Sequence, residues 1–218
     1  MTVGTVFSQQ DTKAAAPLEY TITMAGNTVG NFSLEYVGTD DETVFTRSKS
    51  KMTFPQGSAE VSGEVHMTKD FIPVSWKSFI SASSITYEFS AVFSEGEAVV
   101  SRALPGREIP DTTYALSEET LLVDNTQFDL YYFAVRRFLT LEQEKATLNV
   151  LFPSMQMTFK ASLMNKGRIT ITIGKKDYNA LHVSMGYAAF FFDCYLNLET
   201  LELLQLDLPA QQLSVVRK

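Results

Sequence analysis

The sequence predicts a mainly β protein in which one large, strongly curved antiparallel sheet, or half-barrel, wraps a single helix. Alternating apolar and polar residues recur in about a dozen segments separated by turn residues, which is typical of a large sheet, barrel or sandwich. Only one segment, near residues 125–139, shows a helical period. An isolated apolar helix among strands must be covered by them, so the half-barrel is favoured. A two-sheet sandwich with the helix outside is the alternative.

The composition fits one globular domain, expected to span residues 18–218. Of the 218 residues, 45% are hydrophobic and 20% are charged, and undivided all-β domains of this length are common. The formal net charge is −7. Nucleic-acid surfaces need clustered Lys and Arg, so we expect no nucleic-acid partner.

The strands before the helix begin with a clear hairpin. Alternation runs from Leu18 to Met24, and Gly26-Asn27 supplies a tight turn before a return strand. Between residues 104 and 123, prolines interrupt any ladder, so we expect a crossing connection there. The other alternating segments before the helix are 43–54, 57–68, 73–82, 85–93 and 97–103.

The predicted helix has one wide aromatic face, because its apolar residues recur at intervals of three and four. Thr126 and Asp129 resemble a capping box at its start, and Arg136 and Arg137 lie in the last turn, where cations are favoured. The residues of the apolar face are Phe128, Tyr131, Tyr132, Val135, Phe138 and Leu139.

Two strands after the helix are unusually apolar. One carries Met155, Met157 and Phe159 on one face, and the strand around Phe190 and Phe192 is apolar on both faces. Such a strand either is central in a two-layer core or lines a cavity. The segments predicted here are 146–152, 155–163, a turn at 165–167, 169–173, 178–185, 186–197, 199–208 and 212–217.

Residues with catalytic chemistry are few. His66 and His182 lie in different predicted strands without metal-ligand spacing, and Cys194 lies in an apolar strand as a small buried hydrophobe. The sequence has no Gly-x-Ser-x-Gly elbow and no Gly-rich loop before the helix. We therefore expect no catalytic residues, no metal and no cofactor.

Three segments carry a family resemblance: the hairpin at 20–30, Asp124-Asn125 with the strand end 150–153, and the strands of 167–183. With the order of strands, helix and strands, they cover most of the chain from Leu18 onward. The chain thereby resembles the domain-of-unknown-function family numbered 3108, bacterial proteins that usually carry export signals and are related in shape to the half-barrels of lipoprotein carriers. The resemblance implies a fold and export, and it supplies no catalytic residues.

Two functions of different classes remain open, and an enzymatic function ranks third behind them. The first is a binding protein that holds a lipid or other apolar ligand between the concave sheet and the helix. The second is a structural or interaction module whose core is filled by its own side chains. A Met- and Phe-lined cavity of several hundred Å³ would favour the first, and a fully packed core the second. The residues expected to touch a ligand are Tyr131, Tyr132, Met157, Phe159, Phe190 and Phe192.

Residues 1–17 are expected to form a flexible lead-in. This stretch lacks a basic start followed by an apolar run, and no window of the chain is apolar enough to span a membrane. Its polar, alanine-rich part resembles the spacer that follows a cleaved signal. Because the family resemblance also implies export, we expect an extracytoplasmic location, in the periplasm or cell envelope, over a cytoplasmic one. Nothing in the sequence indicates an oligomeric state.

Overall fold

A computed structural model describes residues 16–39, 42–82, 85–117, 119–187 and 190–218. The predicted lead-in therefore lies almost entirely outside the described residues. The strands before the helix are β1 (Leu18–Met24), β2 (Asn27–Thr39), β3 (Thr43–Phe54), β4 (Gly57–Thr68), β5 (Pro73–Ala82), β6 (Ile85–Ser94), β7 (Glu97–Leu104), β8 (Arg107–Glu108), β9 (Thr112–Ala115) and β10 (Leu121–Leu122). Helix α1 (Phe128–Thr140) is followed by β11 (Lys145–Phe152), β12 (Met157–Ile173), β13 (Lys176–Tyr187), β14 (Phe190–Asn197), β15 (Leu203–Leu208), a short 3-10 helix (Pro209–Gln211) and β16 (Leu213–Arg217).

The described strands form one continuous, open and curved sheet, which confirms the predicted fold class. Its order is β10 to β16 followed by β1 to β8, and β9 also pairs with β7. The two halves join where β1 pairs antiparallel with β16, with Ile22 opposite Val215. Strands β8 and β10 lie at opposite ends of this order. The chain between them therefore makes the predicted crossing connection.

Helix α1 is wrapped by both halves of the sheet. The ring of Phe128 lies 5.7 Å from that of Phe32 on β2, and the ring of Tyr131 lies 4.8 Å from that of Phe192 on β14. Every residue from Phe128 to Val135 is buried. The predicted apolar face was too narrow, because the protein covers this part of the helix on every side and not on one face only.

The helix begins three residues later than the predicted range of 125–139 and extends one residue further, to Thr140. The Oδ1 atom of Asp124 accepts hydrogen bonds from the backbone nitrogen and the hydroxyl of Thr126, at 3.0 and 2.6 Å. This local turn competes with helical hydrogen bonding. Gln127 then adopts an extended conformation, with φ −129° and ψ 114°, before the helix starts.

A buried polar cluster joins the helix start to the sheet. Nε1 of Trp76 donates to Oε1 of Gln127 at 2.6 Å, and the hydroxyl of Ser48 donates to Oδ1 of Asp129 at 2.9 Å. The Gln127 amide lies against Gly63, where a Cβ atom would be only 1.8 Å from Nε2. The predicted capping box is therefore wrong, because Asp129 bonds to the side chain of Ser48 in the core.

The predicted turn at 165–167 is also wrong, since β12 continues through it to Ile173. The register with β13 shifts between Asn165 and Gly167, as in a β-bulge. Gly167 has a φ of +89°, and its nitrogen donates to Oδ1 of Asn165 at 2.9 Å. A glycine at a bulge and a glycine in a hairpin turn meet the same conformational need, which explains the error.

The buried carboxyl group of Asp129 makes stability depend on pH. Burial raises its pKa from 3.8 to about 6, against the opposing effect of hydrogen bonds from Ser48, its own backbone and Gln127. Between these values the folded protein keeps a proton that the unfolded chain has released. Stability therefore falls as pH rises through this window and stays lower above it.

We expect the Asp129→Asn variant to lose this dependence. The variant's free energy of unfolding minus that of the wild type should increase by about 3 kcal/mol between about pH 4 and about pH 8. Urea denaturation at both pH values measures the difference, and any fixed cost of the amide cancels. A constant offset between the two proteins would contradict the prediction.

Candidate ligand-binding site

A cavity of about 180 Å³ lies between the start of α1 and strands β12 to β14. Most of its lining is aromatic or aliphatic, and none of the described lining residues carries a charged side chain. The described lining consists of Val123, Asn125, Tyr131, Phe152, Met155, Phe159, Met185, Tyr187, Phe190, Phe191, Phe192, Leu208 and Gln211.

The walls are built from stacked rings. The ring of Phe159 on β12 stacks on that of Tyr187 at the end of β13, with centroids 3.7 Å apart. Tyr187 in turn stacks with Phe190 at 5.3 Å. On the inner side, Tyr131 of the helix meets Phe192 edge to face. Stacked and edge-to-face arrangements of this kind are favourable between aromatic rings.

The rim of the cavity is unusually exposed for its apolar character. Met155, Phe190 and Phe191 are exposed to 57%, 50% and 51%. Met155 lies on the turn between β11 and β12, which is anchored where the backbone nitrogen of Ser154 donates to Oδ2 of Asp124 at 2.9 Å. Grouped exposed apolar side chains mark interaction surfaces more often than scattered ones do.

Four polar side chains also line the cavity. Tyr131 is only 7% exposed, yet its hydroxyl makes no hydrogen bond within the described part of the chain, and neither does that of Tyr187. Burial raises the pKa of Tyr131, and the nearby Asp124 and Tyr187 add to the effect. The amides of Asn125 and Gln211 are exposed.

The structure brings four of the six predicted site residues together around this cavity: Tyr131, Phe159, Phe190 and Phe192. Met157 is half-buried at the start of β12 and does not line it. Tyr132 points away from the cavity, because its side chain is rotated about 100° around the helix axis from that of Tyr131. Its hydroxyl lies 3.0 Å from that of Tyr36 and accepts from Arg136 at 2.9 Å.

Two central lining residues, Met185 and Tyr187, were not among those predicted from the sequence. Cross-strand pairing places Met185 opposite Phe192 and Tyr187 opposite Phe190. They share the face of the inward-facing Val183, because all three are two residues apart along the strand, and this spacing was a local signal. Only the register of β13 against β14, however, shows that they meet the aromatic strand.

A larger depression of about 440 Å³ crosses the exposed face of β1 to β5. It is more open than the first cavity and most of its lining residues are polar or charged, with an exposed ion pair between Lys51 and Glu60 in its wall. Solvated pairs of this kind contribute little binding energy. We therefore take the smaller, apolar cavity as the candidate site.

Outside the cavity, the described part of the chain holds one close pair of a histidine with a carboxylate and one buried thiol. His182 and Asp193 pair at 2.7 Å, but the described residues hold no group of three His, Cys, Asp or Glu side chains placed for a metal ion. Cys194 is buried as predicted, and burial raises the pKa of its thiol. No helix of the described chain is long and apolar enough to cross a membrane.

Comparison with known proteins shows the fold alone. No family model and no curated protein matches the sequence. A crystal structure of a β-barrel-like protein of the domain of unknown function DUF1849 from Brucella abortus is similar, with a TM-score of 0.60, 10% identity and coverage of 93% of this chain and 94% of that one. A DUF1089 family protein from Pseudomonas aeruginosa gives a TM-score of 0.38 at 10% identity, covering 95% and 92% of the two chains, and supports no conclusion. The chain therefore shares a β-barrel-like fold with a protein domain of unknown function.

Two phenylalanines of the site should differ in their effect on stability. Phe192 is 4% exposed, so Phe192→Ala should lower the free energy of unfolding by roughly 3 kcal/mol. Phe190 is half exposed, so Phe190→Ala should cost less than about 1 kcal/mol. Thermal and urea denaturation of both variants would test this. Equal costs would mean that Phe190 is packed as core.

Proposed function

We propose that the protein is a non-enzymatic binding protein that holds a lipid-like or other apolar molecule in the cavity beside α1. The observation that carries the proposal is an uncharged aromatic and methionine lining that opens through an exposed apolar rim. Methionine and phenylalanine make an adaptable surface for apolar groups. Binding pockets are commonly lined in this way, with a few polar groups that fix orientation.

The volume limits the occupant. At about 180 Å³, the cavity is slightly larger than an engineered apolar cavity of about 150 Å³ that binds benzene. It is smaller than the several hundred Å³ expected from the sequence for a ligand-holding cavity, and smaller than the roughly 300–1,000 Å³ of pockets for drug-sized ligands. The proposed occupant therefore inserts one ring or a short length of chain, and the remainder lies across Met155, Phe190 and Phe191.

The alternative is an interaction module with a self-filled core. It is favoured by the interior next to β1, β2 and β5, where Tyr20, Phe32 and Trp76 are almost completely buried. In this case the exposed rim would receive an apolar side chain from a partner protein. The two proposals differ in whether a small apolar molecule binds alone.

The proposal extends to the compartment and the family. An extracytoplasmic protein related to the family numbered 3108 would meet lipids of the cell envelope. The support is the sequence resemblance, together with the β-barrel-like fold. Fractionation of cells that express the native gene, followed by detection of the protein in the periplasmic or cytosolic fraction, tests the location.

We expect saturable binding of the neutral dye N-phenylnaphthylamine, with enhanced fluorescence. The Phe191→Ser variant should bind the dye about fivefold more weakly, because it removes part of the apolar rim. Val92→Ser is the matched control, since Val92 is 62% exposed and does not line the cavity. Its dye affinity should equal that of the wild type.

Native mass spectrometry of protein purified from cells should show a co-purifying apolar molecule. If the dye does not bind and no small molecule co-purifies, the binding-protein proposal fails. If both serine variants lose affinity equally, the dye binds elsewhere on the surface.

A further inference from the structure

The electrostatics of the cavity indicate which kind of apolar molecule fits. No Lys, Arg or His lies among its described lining residues. The ionisable group whose influence reaches Tyr131 from outside the lining is the carboxyl of Asp124. An anionic head group would therefore lose its hydration without gaining a cationic partner, which is costly in an apolar site.

A cationic head group would also lack a charged partner in the cavity lining. No Asp or Glu lines the described cavity. The carboxylate of Asp124 already accepts hydrogen bonds from the backbone nitrogen and hydroxyl of Thr126 and from the backbone nitrogen of Ser154. Asp124 is buried behind the lining, so an ammonium group in the cavity would lose hydration without a direct contact to this carboxylate.

The cavity does offer neutral hydrogen-bonding groups. The hydroxyl of Tyr131 has no hydrogen-bond partner in the described structure. It is not one of the fully enclosed unpaired polar atoms, so it is accessible from the cavity although the residue is only 7% exposed. A phenol hydroxyl both donates and accepts. A ligand hydroxyl, ester or amide in the cavity would replace water as the hydrogen-bond partner of this phenol. The Tyr187 hydroxyl and the rim amides of Asn125 and Gln211 add neutral partners.

Resting on the function proposed above, we propose that the cavity selects an uncharged amphiphile, whose hydroxyl, ester or amide group bonds to Tyr131, over the acid or amine of the same chain length. The ligand class is therefore a neutral lipid or alcohol. A free fatty acid or an alkylamine is disfavoured.

Displacement of N-phenylnaphthylamine by octanol, octanoate, octylamine and toluene near neutral pH tests the inference. Octanol should bind at least about tenfold more tightly than either charged homologue. The Tyr131→Phe variant keeps the ring and its contact with Phe192. This variant should bind octanol about two- to tenfold more weakly, and its affinity for toluene should not change. Tyr195→Phe, outside the cavity lining, is the matched control and should change neither ligand.

Two outcomes would overturn the inference alone: octanoate or octylamine binding as tightly as octanol, or octanol affinity that does not change in Tyr131→Phe. In both cases toluene would still bind, and the apolar cavity would remain a binding site. If neither toluene nor octanol displaces the dye, the proposed function fails together with the inference.

Discussion

The structure depends on the hydrogen bond from the indole of Trp76 to the amide of Gln127, with Ser48 and Asp129 beside it. Burying these polar groups would be costly without partners, so a placement of the helix that separates them is disfavoured. Gly63 permits that placement because it leaves room for the amide. The cluster thus fixes both the position of the helix along the sheet and its rotation about its own axis.

The rotation of the helix decides what each tyrosine does. Tyr131 faces β14 and contributes to the cavity, whereas Tyr132 bonds to Tyr36 and Arg136. Asp124 links the same helix start to the turn that carries Met155. The candidate site is therefore formed where the helix start, this turn and the aromatic strands meet, and it rests on contacts between segments distant in sequence.

The likeness to the Brucella abortus protein holds at 10% identity. A large curved sheet requires alternation, turns and a covered apolar helix, and many sequences meet these requirements. Function depends on particular side chains placed on such a fold. The aromatic rim and neutral lining belong to this chain's own residues, so the binding proposals rest on them and not on the shared fold.

The sequence by itself determined the β class, the single helix, the crossing connection and the two apolar strands, because hydrophobic periodicity is a local property of each segment. It also indicated Tyr131, Phe159, Phe190 and Phe192 through their aromatic clustering. Only the tertiary structure decided the start of the helix, the bulge at Gly167, the different role of Tyr132, and the place of Met185 and Tyr187 in the cavity. These features depend on strand register and on hydrogen bonds between distant residues such as Trp76 and Gln127. A local pattern cannot encode either, because the same alternation is compatible with several registers and the same helix with several rotations.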